Sequence, residues 1–298
     1  MRFGACIPHY GVAASMKVIH DFCKLAERSM FDSVWTTDHL AVSKKYADPY
    51  GNIFESLTTL TFAAAATEHI KLGTSIIVLP MRDPILFAKQ VASADALSDG
   101  RIILGLGVGW MEDEFATLRS NYKERGKIMD EQIQLLRVLW TENEPRFDGR
   151  FFKVTDSVIL PKPVQKNGPP IWIGGASSAA LRRVARFGDG WHPVGFSPKE
   201  IAAGKRKLES FMGANRNIVL SVRLPVEISE TASTSYALSS GEQAYMLGGS
   251  REQVVRELEA FRETGLDYMV CYFGNKPYEF IESQATQFAK DIIPSFSS

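Results

Sequence analysis

The 298-residue chain reads as an α/β protein built as a (β/α)8 TIM barrel, on three observations. Short β-rich runs alternate with helical patterns almost from end to end, and eight such runs can be counted. The clearest of them, IKLGTSIIVLP at 70–80, shows no polar alternation, as expected of a parallel strand buried on both faces. Length agrees, because such a barrel takes about 250 residues and leaves roughly 50 for insertions. A doubly wound open sheet is the competing architecture, since counting strands does not prove closure. No shift in composition marks a boundary, so residues 1–298 are taken as a single domain.

RFGACIP (2–8) is the first strand, and Val18, Phe22, Leu25 and Ala26 follow at helical spacing. SVWTTDH (33–39) is the second, with the turn formers Asp48-Pro49-Tyr50-Gly51-Asn52 in the loop beyond it. Residues 56–67 read as a helix, 70–80 as the third strand, and Phe87, Val91, Ala94 and Leu97 mark the next helix. The fourth strand, 101–109, runs into a long helical region that ends with Met129, Ile133, Leu136 and Trp140. The rhythm breaks over 145–169, where Asp148-Gly149 between β-prone residues predicts a hairpin insertion. PIWIGG (170–175), a helix around Leu181 to Arg186, and DGWHPVG (189–195) restore it. IVLSVRLPVEI (218–228) is the seventh strand. The stretch 229–249 is polar, lacks an apolar period and suits a mobile lid. Ser250 and Gln253 form a capping-box pattern ahead of Val254, Leu258 and Phe261, and DYMVCYFG (267–274) is the eighth strand.

The 34 basic and 34 acidic residues cancel, which argues against a nucleic-acid surface or a polybasic membrane contact. No apolar run approaches the roughly 20 residues that span a bilayer. The opening MRFGACIPHYG has no cationic region followed by an apolar core, so a cytoplasmic protein is expected. Cys6, Cys23 and Cys271 are odd in number and far apart, which suits buried thiols better than disulfides or zinc.

In a barrel, functional groups gather at the C-terminal ends of the strands. His9, His39 and His192 fall at such ends, whereas His20 and His69 do not. Asp38-His39 is the strongest acid/base candidate, since imidazole exchanges protons near neutrality and a carboxylate can tune it. Neighbours on a strand face opposite ways, so the two need not touch. The alternative has Asp38 capping a loop and His39 packed against Trp35 or Tyr46. In RIILGLGVGWMEDEF (101–115), Gly105, Gly107 and Gly109 alternate, and a helix follows that opens with Glu112, Asp113 and Glu114. Bare backbone of this kind admits a flat ligand, or simply makes a tight strand-to-helix turn. Gly174-Gly175-Ala176-Ser177-Ser178 offers an anion cradle at a helix N-terminus, or a glycine turn with a serine cap. HExxH, CxxC, P-loop and G-x-S-x-G patterns are all missing, so metal, nucleotide-hydrolysis and acyl-transfer chemistry are not expected.

Four segments together resemble one family: W-x-x-D-H at 35–39, the run 66–115, RGKIMDEQIQLLRVLW at 125–140, and 162–193. They resemble the bacterial-luciferase-like oxidoreductases, especially the F420-dependent branch. The resemblance implies FMN or a deazaflavin at the C-terminal mouth of a (β/α)8 barrel. It implies that Ser75-Ile76 is a non-proline cis peptide forming a bulge behind the ring, with Gly107 and Gly109 at the ring's edge. Gly174, Gly175, Ala176 and Ser178 match a phosphate loop, and Arg125 matches a phosphate-side arginine. His39 matches a histidine beside the hydride-accepting carbon, and Asp38 the acid preceding it. Val108 departs from the pattern, standing where luciferase has a second phosphate arginine. The oligoglutamate tail of coenzyme F420 favours a basic rim, for which Lys44, Lys45 and Arg82 are candidates. The expected activity is F420-dependent hydride transfer to or from a small organic substrate. The alternative uses reduced FMN and oxygen with a separate reductase, and a third is non-catalytic flavin binding. Relatives of this kind are commonly dimers, so the resemblance implies a homodimer. Residues 40–55 and 229–249 are the expected substrate determinants.

Overall fold

The structure, a computed structural model, describes residues 1–212, 216–237, 241 and 243–296. Eight parallel strands make the barrel: β1 (Arg2–Cys6), β2 (Ser33–Thr36), β3 (Lys71–Thr74), β4 (Ile102–Gly107), β5 (Ile171–Gly174), β6 (Gly190–His192), β7 (Val219–Ile228) and β8 (Tyr268–Tyr272). Each pairs with the next in sequence. β8 then pairs back onto β1, from Arg2↔Tyr268 to Ala5↔Cys271, and this closure decides against the open sheet. One long helix of the outer ring follows each strand, with short extra helices at Ala47–Tyr50 and Glu112–Thr117: α1 (Met16–Arg28), α2 (Ser56–Ala66), α3 (Pro84–Leu97), α4 (Arg125–Thr141), α5 (Ser178–Phe187), α6 (Pro198–Glu209), α7 (Arg251–Glu263) and α8 (Tyr278–Asp291).

Helix α1 shows how sequence sets the outer ring. The Ser15 hydroxyl accepts from the Val18 N–H at 3.2 Å, satisfying one orphan donor of the first turn. Ile19, Phe22, Cys23 and Ala26 recur at one-face spacing, and all are buried against the sheet. Burying Phe22 alone contributes about 1.5–3 kcal/mol. Inside the barrel, Trp35, Trp172 and Tyr268 form an aromatic layer with ring centroids 5.2–6.1 Å apart. Trp35 fits because its neighbours across the sheet are small: a Cβ on Gly73 would lie 2.2 Å from its ring. The filled interior leaves space for a ligand only above this layer, at the mouth.

The region after β4 is two helices, Glu112–Thr117 and α4, rather than one. The hairpin exists, but Asp148 pairs with Lys153 within it, so the turn is longer than Asp148-Gly149. The stretch 229–249 is not structureless: Ser235–Ala237 pairs with Gln243–Tyr245, and Leu247–Gly249 adds to β7. Residues 238–240 and 242 of that stretch lie outside the described residues. Among the described residues no helix is long and apolar enough to cross a membrane, and all three cysteines are buried and unpaired.

Candidate active site at the barrel mouth

The third strand breaks after Thr74 at a cis Ser75–Ile76 peptide, then resumes as Ile77–Val78, which pairs with Leu106 and Gly107 of β4. The bulge folds the half-buried Ile76 side chain over β4 and β5. A Cβ on Gly107 would lie 1.8 Å from Ile76 Cδ1, and one on Gly174 2.9 Å from it. At Gly109 the added atom would meet Val78 at 2.5 Å and Phe115 at 2.8 Å. The alternate glycines thus make room for protein side chains. The surface presented to the mouth is Ile76, rather than bare main chain.

Ser75 is held from below by His192, whose Nε2 lies 2.9 Å from the Ser75 hydroxyl. The Ser221 hydroxyl donates to the Trp191 carbonyl, so it accepts from His192 Nδ1, and Nε2 is left to accept from Ser75. Burial, with Arg223 nearby, pushes His192 down to about 3, so the ring stays neutral and stacks on Trp35. His9 is also fully buried, between the Ile7 carbonyl and the Thr37 backbone, and burial lowers it too. These two strand-end histidines are structural.

His39 is different. Its Nδ1 lies 2.9 Å from Oε2 of Glu114, and the carboxylate's other oxygen accepts the backbone N–H groups of Leu40 and Ala41. Burial would raise the Glu114 carboxyl, but the hydrogen bonds from His39, Leu40 and Ala41 outweigh it and hold the group lowered. An ionised carboxylate only accepts, so Nδ1 carries the hydrogen and Nε2 is left as the basic nitrogen. Tyr50 packs on the imidazole at 4.4 Å, with Trp110 edge-on at 6.3 Å. Neither Trp35 nor Tyr46 has that place.

Asp38 does not touch His39. It accepts both arms of the Arg82 guanidinium, at 2.6 and 2.7 Å, and the Val78 N–H at 2.9 Å. It therefore ties the end of β2 to the bulge. Arg82 also pairs with Glu55, so its charge is spent internally and adds nothing to a basic rim. Lys44 and Lys45 do stand exposed there. Glu114, the partner of His39, carries no sequence signal beyond the acidic opening of the helix after the glycine run.

Gly174 and Ala176 are half-buried and Gly175 is exposed at the top of β5. Gly175 has φ +89°, which favours glycine, and its carbonyl accepts from the Trp191 indole at 2.8 Å. Ser177 caps α5 by accepting from the Ala180 N–H, and Ser178 opens the helix. Arg125, at the start of α4, donates to the Gly109 carbonyl at 3.2 Å and lies 3.8 Å over the Tyr122 ring. Ile76 thus joins the glycine turn of β4 to that of β5, while Asp38 joins the bulge to β2. A separate cavity of about 900 Å³ lies at the opposite end, near Arg137, Gly168 and Asp189, away from these groups.

The sequence profile of the luciferase-like monooxygenases matches residues 1–234, and the chain belongs to this family. An uncharacterised protein of Mycobacterium tuberculosis is 31% identical over 181 residues, covering 56% of this chain and 64% of that one. The chain thus spans slightly under two thirds of that relative's length. An F420-dependent glucose-6-phosphate dehydrogenase of Amycolatopsis mediterranei is 23% identical over 92% of each chain. The FMNH2-dependent dimethylsulfone monooxygenase of Pseudomonas putida is 32% identical over 66% of this chain and 53% of its own. The crystal structure of the monooxygenase RslO1 from Streptomyces bottropensis shares the fold with a TM-score of 0.82, at 21% identity over all of both chains.

Proposed function

We propose that this protein moves a hydride between coenzyme F420 and a small organic substrate at the barrel mouth. The buried His39–Glu114 pair is the observation that carries the reading. Hydride transfer to or from a carbon that bears oxygen must be matched by a proton, and a histidine of fixed tautomer provides it. When bound, the deazaflavin supplies or accepts the hydride. The residues present fit such a group. Ile76 gives a flat ring an apolar floor, and the Gly175–Ser178 loop at the start of α5 suits a phosphate. Arg125 stands behind the glycine turn, and Lys44 and Lys45 are exposed toward an anionic tail. His39 Nε2 takes the substrate proton in one direction and returns it in the other, while Glu114 stabilises the imidazolium. Asp38 acts through the bulge, holding Arg82 and Val78 in place, rather than through His39.

Similarity to the Amycolatopsis enzyme along nearly the whole chain supports the deazaflavin, whereas the Pseudomonas enzyme supports reduced FMN with oxygen and a separate reductase. Following each reduced cofactor in turnover, with and without oxygen, separates the two. Oxygen-independent turnover of F420 against a panel of small alcohols and carbonyl compounds is expected. Oxygen-dependent consumption of reduced FMN without deazaflavin binding would overturn the proposal. Tight cofactor binding with no turnover at all would point to storage.

A further inference from the structure

Arg223 projects from the middle of β7 and reaches across the barrel, donating to the Thr37 hydroxyl at 2.9 Å and the Ser75 carbonyl at 3.0 Å. Its other arm meets the Tyr10 hydroxyl at 3.3 Å, and the guanidinium lies 4.9 Å over the Tyr272 ring. All these partners are neutral. Among the described residues no carboxylate forms an ion pair with Arg223, unlike Arg82, Arg137 and Arg183. Burial raises Cys6 and Tyr10, and pushes Tyr272 up to about 12, so these neighbours stay protonated and leave the positive charge uncompensated.

This cation lines a cavity of about 400 Å³ together with Tyr10, Tyr50, Tyr236, Tyr272 and Lys276. Glu227 lines the same cavity but sits four residues further along β7, about 13 Å at the usual rise per residue. The wall is shared with the candidate catalytic group: Tyr50 packs on His39 at 4.4 Å and on Tyr10 at 5.5 Å. A half-buried guanidinium with an aromatic surround and no counter-charge is complementary to a planar oxyanion on an apolar body.

We infer that Arg223 and its tyrosine surround form a subsite for the anionic oxygen group, of carboxylate type, of a substrate whose reacting carbon lies toward His39. The placing of the reacting carbon rests on the proposed function; the anion site itself does not. A small aromatic carboxylate fits the volume, its ring against Tyr50 and Tyr272 and its oxygens on the guanidinium fork. Because Arg223 also holds the Ser75 carbonyl, an occupied subsite abuts the bulge from the side of β7.

Calorimetric titration of the intact protein without cofactor tests this, using benzoate as probe and benzyl alcohol and benzamide as neutral analogues. Benzoate is expected to bind one per chain, at least tenfold tighter than either analogue. Arg223→Met should weaken benzoate at least 30-fold, and Arg223→Lys, which keeps charge but loses the fork, by three- to tenfold. Equal binding of benzoate and benzyl alcohol, or unchanged benzoate affinity in Arg223→Met, would overturn the inference. Should Arg223→Met not fold, unchanged benzoate affinity in a folded Arg223→Lys together with equal binding of the neutral analogues would do the same. Titrating FMN and F420 into Arg223→Lys is the remaining control. Arg223→Lys keeps a cation that can still donate to the Ser75 carbonyl, and in it a loss of cofactor affinity larger than the loss of benzoate affinity would assign the guanidinium to the cofactor and overturn the inference. Failure of the wild-type protein to bind F420 would refute the proposed function and leave the benzoate result standing.

Discussion

Glu114→Gln separates positioning from mere packing at His39. Glu114 is only 1% exposed, and its two oxygens have different duties: one accepts from His39 Nδ1, the other from the Leu40 and Ala41 backbone. Glutamine keeps the size and can keep its single oxygen on the backbone pair. Its NH2 then faces Nδ1 and donates, which moves the imidazole hydrogen to Nε2 and removes the basic nitrogen. Two charge-assisted bonds become neutral ones, and the third reverses polarity, for a total cost of about 2–3 kcal/mol. At the usual unfolding entropy per residue, a 298-residue chain should then melt about 3–5 °C lower. Turnover should fall about 10²–10⁴-fold, the usual worth of a general acid/base, while cofactor affinity holds. The assays are steady-state turnover across pH, cofactor titration and a thermal melt on one preparation. The loss should fall on kcat while KM holds, a split that lost packing alone would not produce. A variant that melts lower but keeps kcat within about twofold of wild type would refute the positioning role.

Other outcomes follow from the same contacts. His39→Ala should bind cofactor as wild type does and lose about 10²–10⁴ in turnover; loss of cofactor binding would make His39 a ring contact instead. Gly107→Ala drives a methyl to within 1.8 Å of Ile76 Cδ1 and should destabilise by about 1–3 kcal/mol. Adding Ile76→Val removes that Cδ1, so chemical denaturation of the double variant should recover most of the loss. His192, held neutral with its value lowered to about 3, binds no proton when folded where the unfolded chain does, below about pH 6.5. Its contribution to stability is therefore intact above that pH and lost as pH falls toward 3, by up to about 1.4 kcal/mol per unit. His192→Asn should flatten this acid limb of the melting curve by about one proton, with the share due to His9 remaining.

Much of the barrel is legible in the sequence because parallel strands and one-sided helices leave periodic traces. The strands at 70–80 and 101–109 and the Ser250–Gln253 capping box are examples, although the first is broken by the Ser75–Ile76 bulge. Two helices escape that reading. α6 opens with a Ser197–Glu200 capping box but has few apolar residues behind it, and only Ile201 and Leu208 are buried. α8 follows the eighth strand directly, with Pro277 at its N-cap and no side-chain cap. The site was readable by position but less so by partnership. His39, Ser75, Ile76 and the two glycine turns do gather at one end of the barrel. Which carboxylate meets His39 depends on how the helix after β4 folds back 75 residues away, and local sequence carries no trace of that. The glycines at 105, 107 and 109 were legible as sites of close approach, but not as places filled by Ile76, Val78 and Phe115. Arg223 gave no signal, because what sets it apart is the absence of a counter-charge in space.

Titration of the purified full chain with coenzyme F420 and, in parallel, with FMN, followed by absorbance, shows which ring the barrel mouth takes. Hydride transfer through the deazaflavin requires F420 to bind with one site per chain and a perturbed spectrum, and to bind more tightly than FMN. Binding of FMN alone, with F420 leaving no spectral change at any concentration, would contradict it.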